Sequence, residues 1–153
     1  MSFTTKLLGA ADLDQMKALL RLFGEAFEDP VSYQGAVPSD AYLLGRLGDD
    51  AFFAVVALDQ SGAMVGGLAA YELKKFEQER SEVYIYDLAV HAAHRRKGIA
   101  TGLIAKLREI ARKRGAWTIF VQADVGEEDE AANALYRKLS CEMIVAHHYD
   151  ILP

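Results

Sequence analysis

Cysteine is nearly absent: Cys141 stands alone in 153 residues. No disulfide can form within the chain, and a reducing compartment, the cytosol, is the expected location. Long apolar runs are missing as well. The longest, Ala51 to Leu58, is too short to cross a bilayer and reads as a buried strand. The first residues, MSFTTKLLGAADLDQ, hold no apolar core of signal-peptide length. Positive charge is in deficit, with 17 Lys and Arg against 22 Asp and Glu, a net charge of −5 and a pI near 5.3. That balance argues against bulk nucleic-acid binding, which wants a basic face. Repeats, low-complexity tracts and linkers are also lacking. A 52% hydrophobic content and a mean hydropathy of +0.03 then suit one globular domain, residues 1–153, with a sizeable core.

The hydrophobic pattern alternates between two periods. Residues 3–8 suit a strand. Asp12, with Gln15 three residues later, has the form of a capping box. Leu13, Met16, Leu20, Phe23 and Phe27 then mark a helix over 13–27. EDPVSYQGAVPSD, with two prolines, reads as a loop, and Ser39 caps a short helix ending near Gly48. Two β-rich stretches, 51–58 and 63–74, flank Asp59-Gln60-Ser61-Gly62 as a hairpin. A strand over 82–90, a helix over 98–114 and a strand over 117–123 form a βαβ crossover, which makes those strands parallel. A helix opening at Glu128 and a last strand over 142–151 complete the chain. The expected fold is α/β, with a mixed, mostly antiparallel sheet between helices on both faces.

The stretch EVYIYDLAVHAAHRRKGIA, residues 82–100, concentrates the chemistry. A strand ends at Val90, and Arg95, Arg96 and Lys97 lead into Gly98 at the start of a helix. Unpaired amides and the positive end of the helix dipole converge at such a point, so it is a ready phosphate site. The amides of residues 96–101, among them Ile99, Ala100 and Thr101, face the anion, while Gly98 lets the backbone approach closely. Within the strand, regular alternation groups Asp87 with Val83, Ile85 and Ala89. A lone carboxylate on an apolar face is either a structural acid or a base whose pKa burial raises.

Arg95-x-x-Gly98-x-Ala100 between a strand and a helix resembles the acetyl-CoA signature of the GNAT N-acetyltransferase superfamily. AANALYRKL, residues 131–139, resembles its second motif, although Asp129 stands where that motif commonly has Asn, and Ser140-Cys141 where Gly-Phe usually follows. FEQERSEVYIYDLAV, HRRKGIATGLI, VQADVGEEDEA and ALYRKL together are similar to the aminoglycoside 3-N-acetyltransferases of the gentamicin-resistance type. The resemblance implies a GNAT fold, acetyl-CoA as co-substrate, no metal, and acetyl transfer to an aminoglycoside amine, with a homodimer expected. It implies Asp87 as general base and Tyr136 as donor to the leaving thiolate. Backbone of Leu88, Ala89 and Val90 would meet the cofactor, with a bulge freeing amides for the thioester carbonyl. For a polycationic acceptor, Asp29, Tyr33, Asp124, Glu127 and Asp150 are the candidate contacts.

Two other functions fit the signature. One is a GNAT enzyme acting on polyamines or protein amines; the other is a catalytically silent acyl-CoA-binding module. Neither nucleic acid nor membrane is an expected partner. His91 and His94 lack a third ligand for a metal, Cys141 reads as a buried free thiol, and Trp117 as core packing.

Overall fold

The computed structural model describes residues 2–153 and divides into two compact units, one ending at Gln122 and one running from Ala123 to Pro153. In the first unit five strands form one sheet in the order β1-β2-β3-β4-β5: Phe3–Leu7, Phe52–Asp59, Met64–Lys74, Ser81–Val90 and Thr118–Val121. The first four are antiparallel to their neighbours, and β4 and β5 run parallel, as the crossover requires. Helices α1 (Leu13–Ala26), α2 (Pro30–Gln34) and α3 (Asp40–Gly48) precede β2, and α4 (Ile99–Lys113) links β4 to β5.

Antiparallel partners share a face, so the register separates two cores. Phe52, Ala54 and Val56, opposite Tyr71, Ala69 and Gly67, pack against Met16, Leu19, Leu22 and Phe23 of α1 and Leu43 of α3. Phe53, Val55, Leu68 and Val83 face the other way, toward the buried α4 stripe Ile99, Leu103 and Leu107. The α1 layer comes very close to the sheet at Gly67. A Cβ there would lie 2.3 Å from Leu19 Cδ1 and 3.2 Å from the Val55 carbonyl oxygen. Any side chain there would force Leu19 to shift and crowd the Val55 carbonyl.

Local chemistry departs from expectation at three places. Asp12 precedes α1, but its carboxylate accepts the Gly9 N–H at 2.8 Å and pairs with Lys6 at 2.6 Å. Gln15 also turns to Lys6, so no capping box forms. The stretch read as a loop holds α2, with Asp29 as N-cap and Pro30 in its first turn. The expected strand over 142–151 is not formed. That stretch has no regular element and carries exposed Met143, Ile144, Val145 and Ile151; a strand exists only where a second one pairs with it, and an apolar pattern alone does not supply one. Ser39 and Gly62 behave as expected: Ser39 Oγ accepts the Tyr42 N–H, and Gly62 takes φ +84 in the hairpin turn.

The end of α4 is anchored by charge. Arg114 donates to the carboxylate of Glu72 on β3, whose side chain is only 5% exposed, and its guanidinium lies 5.5 Å from the Phe53 ring. Removing Arg114 leaves a buried carboxylate unpaired. Arg114→Ala is expected to cost about 2–3 kcal/mol, below the full buried-pair penalty because Arg114 is partly solvated. Urea denaturation measures this, and a loss under about 0.5 kcal/mol would show that the pair carries no stability.

Trp117 is not core. The residue is 59% exposed, just before β5, with the Arg80 guanidinium 3.7 Å from its ring centroid. The position precedes the strand, where one side already faces water.

The second unit contains a 3-10 turn, Glu127–Asp129, and α5, Glu130–Leu139. Asn133 Nδ2 donates to the carbonyls of Asp124 (2.8 Å) and Asp129 (3.1 Å), tying the loop to the helix start. Cys141 is exposed rather than buried, because it lies beyond α5 in irregular chain.

Candidate functional site

The site is set by an irregularity in β4. Its register to β3 steps from Ile85–Ala70 to Asp87–Ala69, leaving Tyr86 as an extra residue. This bulge reverses the alternation. Val83 and Ile85 face α4, but Asp87 and Ala89 share a face with Ala69 and Gly67, on the α1 side. Regular alternation, which grouped Asp87 with Ile85, is therefore corrected. Without the bulge the carboxylate would point into the apolar α4 core at a large desolvation cost. With it, Asp87 is half-buried in a cleft among tyrosines.

The same bulge coincides with the end of the β4–β5 ladder. Pairing with β5 runs from Glu82–Thr118 to Ile85–Val121 and stops there. From Tyr86 to Val90 the β4 edge opposite β3 has no strand partner among the described residues. Backbone groups of Leu88 and Val90 on that edge are available for a ligand, whereas those of Ala89, between them, turn toward Gly67 of β3.

Asp87 lines a cavity of about 160 Å³ together with Met16, Phe23, Tyr42, Tyr71 and Tyr86. Tyr71 and Tyr86 meet edge to face at 5.9 Å, and Tyr84 and Tyr86 at 5.8 Å. Burial pushes the Asp87 carboxyl above the ordinary carboxylate range, and a hydrogen bond from Tyr33 opposes that shift. Tyr33 Oη donates to Asp87 Oδ1 at 3.0 Å. The Tyr33 phenol is itself raised, by burial first and by the neighbouring Asp87 charge second. A larger, open concavity of about 420 Å³ lies along α1 and α2 and presents Glu25 and Glu28.

β4 then runs into the basic turn. A 3-10 turn, Ala92–His94, follows His91, whose Nδ1 accepts the Ala93 N–H at 3.3 Å and whose ring meets that of His94 at 5.7 Å. Arg95, Arg96 and Lys97 are exposed, and none of the three makes an ion pair among the described residues. Lys97 Nζ donates to the Ala93 carbonyl at 3.0 Å. Arg96 has φ +61 and Gly98 φ +79. Gly98 caps α4 without a side-chain bond, and Gly102 N–H is the first amide bonded back to it, at 2.9 Å. The amides of Ile99, Ala100 and Thr101 are therefore the helix's free donors. Ile99 is buried and pins this end to the sheet. No protein atom lies within 4 Å of where a Gly98 Cβ would stand. The left-handed backbone, more than crowding inside the protein, demands glycine there.

The structure thus brings Tyr33 and Asp87 together and leads Leu88–Val90 directly to the Arg95–Thr101 turn. Asp29 is committed elsewhere: its carboxylate accepts the Ser32 N–H at 3.0 Å as the α2 cap. In the second unit Tyr136 is half-buried, and burial raises its phenol pKa. Asp124 and Glu127 are exposed there, and Asp150 lies 2.9 Å from His148. The aromatic lining, Tyr42, Tyr71 and Tyr86, escapes sequence reading because regular alternation turns Tyr86 away from Asp87. The Asp29-Pro30 pair, a cap followed by a first-turn proline, was the available signal for α2.

Residues 16–140 match the acetyltransferase (GNAT) family model. A search of the curated proteins finds none that matches. Among solved structures, an aminoglycoside acetyltransferase from an uncultured soil metagenomic sample shares 54% identity, covers 100% of both chains and superposes with a TM-score of 0.95. A second such enzyme from an uncultured soil metagenomic sample, crystallised in complex with sisomicin, shares 32% identity over 99% of this chain and 97% of its own, with a TM-score of 0.87. A ribosomal-protein-alanine N-acetyltransferase from Brucella melitensis biovar Abortus 2308, at 24% identity and a TM-score of 0.74, shares the fold.

Proposed function

This chain belongs to the acetyltransferase (GNAT) family, and from that premise we propose that it transfers the acetyl group of acetyl-CoA to an aminoglycoside amine, the 3-amino group. The observation that carries the reading is Asp87, a half-buried carboxylate above its ordinary pKa range, at an open strand edge that leads into an uncapped, cation-flanked helix start. The two enzymes of 54% and 32% identity are aminoglycoside acetyltransferases, which supports the acceptor class. The family match spans both compact units, which supports one working domain.

The fit to acetyl-CoA rests on residues present. Free amides at 99–101, a left-handed Gly98 and three exposed cations form an anion site in an otherwise acidic protein. Arg95 and Arg96 would grip phosphate oxygens, and Leu88 and Val90 would offer backbone bonds. The co-substrate supplies an activated acetyl thioester. Asp87 accepts a proton from the acceptor ammonium, directly or through one water, so that the freed nitrogen attacks the carbonyl carbon. The C–N bond forms, the C–S bond breaks, the sulfur departs as thiolate, and the second proton, shed by the nitrogen as it becomes an amide, passes through solvent to that thiolate. Tyr136 stabilises that thiolate by hydrogen bonding; a phenol raised by burial is a poor acid toward a thiol of pKa about 8.5. Acceptor ammonium groups are held by Asp124, Glu127 and Asp150, with Asp29 acting through α2, whose Tyr33 stands at the cleft beside Asp87. Acting in the cytosol as a homodimer completes the proposal. Among the described residues no helix is long and apolar enough to cross a membrane.

Thiol release from acetyl-CoA distinguishes the acceptors. Gentamicin or sisomicin is expected to give kcat/KM at least 100-fold above spermidine or a lysine peptide, a gap of about 2.7 kcal/mol. Comparable rates with spermidine would overturn the acceptor assignment, and mass spectrometry with NMR of the product identifies the acetylated amine.

A further inference from the structure

The base needs an orienting partner, and the fold provides one from a distant segment. Tyr33 and Asp87 are 54 positions apart, yet the phenol donates to Oδ1 at 3.0 Å. Among the described residues, no hydrogen bond is made to Oδ2.

The ring that makes this bond is held on several sides. Asp29 and Pro30 start α2, and Gly35 N–H closes it on the Val31 carbonyl at 3.0 Å. Phe23 of α1 and Phe27 at its C-terminal cap stack on each other at 5.7 Å, and Tyr33 packs on both, at 5.9 and 5.7 Å. Gly24 leaves room for the Tyr33 Cβ, which would lie 3.3 Å from a Cβ added there. This degree of fixation exceeds what an exposed loop tyrosine waiting for a sugar requires.

The other groups around the carboxylate do not replace the bond. Tyr42 and Arg46 of α3, Tyr71 of β3 and Tyr86 of β4 line the same cavity, and Tyr84 adjoins Tyr86, but no hydrogen bond joins any of them to Asp87 among the described residues. From α1 the neighbours are apolar: Met16, Leu19, Leu20 and Phe23.

We propose that Tyr33 is a positioning residue for the reaction: it anchors Oδ1 of Asp87 and so presents Oδ2 to the acceptor amine. This deepens the reading of Asp87 as general base and rests on it. It also changes the role of Tyr33 from acceptor contact to holder of the base. A donor to the ionised form stabilises that form, so its removal makes the carboxylate easier to protonate. The consequence is a defect that grows as pH falls, which a purely structural role would not produce.

The test is Tyr33→Phe, which keeps the ring and its stacking. Profiles of kcat/KM against pH are measured with acetyl-CoA and gentamicin, beside wild type and Asp87→Asn. On the acid limb Tyr33→Phe is expected to lose about tenfold in kcat/KM, and on the alkaline plateau less than about threefold, chiefly through kcat. Carbon-13 NMR titration of the Asp87 carboxyl gives a second readout, expected to move to higher pH in the variant. An unmoved acid limb and an unmoved titration would overturn the proposal. So would a rise in acceptor KM at unchanged kcat at all pH values, which would return Tyr33 to acceptor binding. If Asp87→Asn itself retains full activity, the base assignment fails instead, and that outcome is separable from a failure of Tyr33 alone.

Discussion

Asp87→Asn is expected to lower kcat by roughly 10²- to 10⁴-fold while leaving acetyl-CoA affinity within about twofold, because the change removes a proton acceptor and little else. Asparagine keeps the shape and the bond from Tyr33. The amine must then lose its proton to bulk water, which is poorly placed in a half-buried cleft. Thiol-release kinetics and calorimetric titration with acetyl-CoA measure the two quantities, and undiminished turnover would remove Asp87 from the chemistry. The pH dependence follows from the sign of the shift. The base acts ionised, and burial raises its pKa above the ordinary carboxylate range. Activity therefore falls as pH drops through that raised value, at higher pH than an exposed aspartate would set. Stability has the opposite sense. The folded state holds the proton more tightly than the unfolded chain, so wild type loses stability as pH rises from the unfolded pKa through the folded one. Asp87→Asn abolishes that loss, and its melting temperature relative to wild type should rise across the same window.

The second large effect is on cofactor binding. Gly98→Val places a β-branched residue at φ +79, a region that costs an ordinary L-residue about 1–2 kcal/mol and a β-branched one more. The turn relaxes by rotating its amides out of line, and the Cβ methyls enter the open space where an anion would lie. The dissociation constant for acetyl-CoA should rise at least tenfold, with a smaller rise for Gly98→Ala, which lacks the branch. Calorimetric titration measures both. Because Gly98 is exposed and no side chain leans on it, the fold should keep its circular dichroism spectrum. Unchanged affinity in the valine variant would mean that the phosphates bind elsewhere.

The periodic elements were legible because each is decided locally. Leu13–Ala26 and Ile99–Lys113 carry unbroken apolar stripes, and the hairpin at Asp59–Gly62 carries its own turn chemistry. The parallel pairing of β4 and β5 followed from their spacing alone. The basic turn and its glycine were legible for the same reason, since backbone amides at a helix start need no tertiary partner. What escaped depends on counting across strands. The bulge at Tyr86 is a mismatch between β3 and β4, invisible in either strand by itself. It decides which face Asp87 occupies and hence which aromatics surround it. The hydrogen bond from Tyr33 depends on α1 carrying α2 over the sheet, a relation between elements 54 residues apart. The missing strand over 142–151 fails for a related reason: its alternating sequence suits a strand, but pairing requires a neighbour that pattern cannot supply.

The bare backbone at Gly67 has a reach beyond its own neighbours. Leu19 rests where a methyl group would otherwise stand, and the helix that bears Leu19 also bears Phe23 and ends at Phe27, the seat of Tyr33. The clearance between helix and sheet at one point thus governs how far the phenol stands from the carboxylate two positions along the neighbouring strand's face. An alanine at 67 would act as a wedge under one end of a lever, and its tip would be the cleft wall.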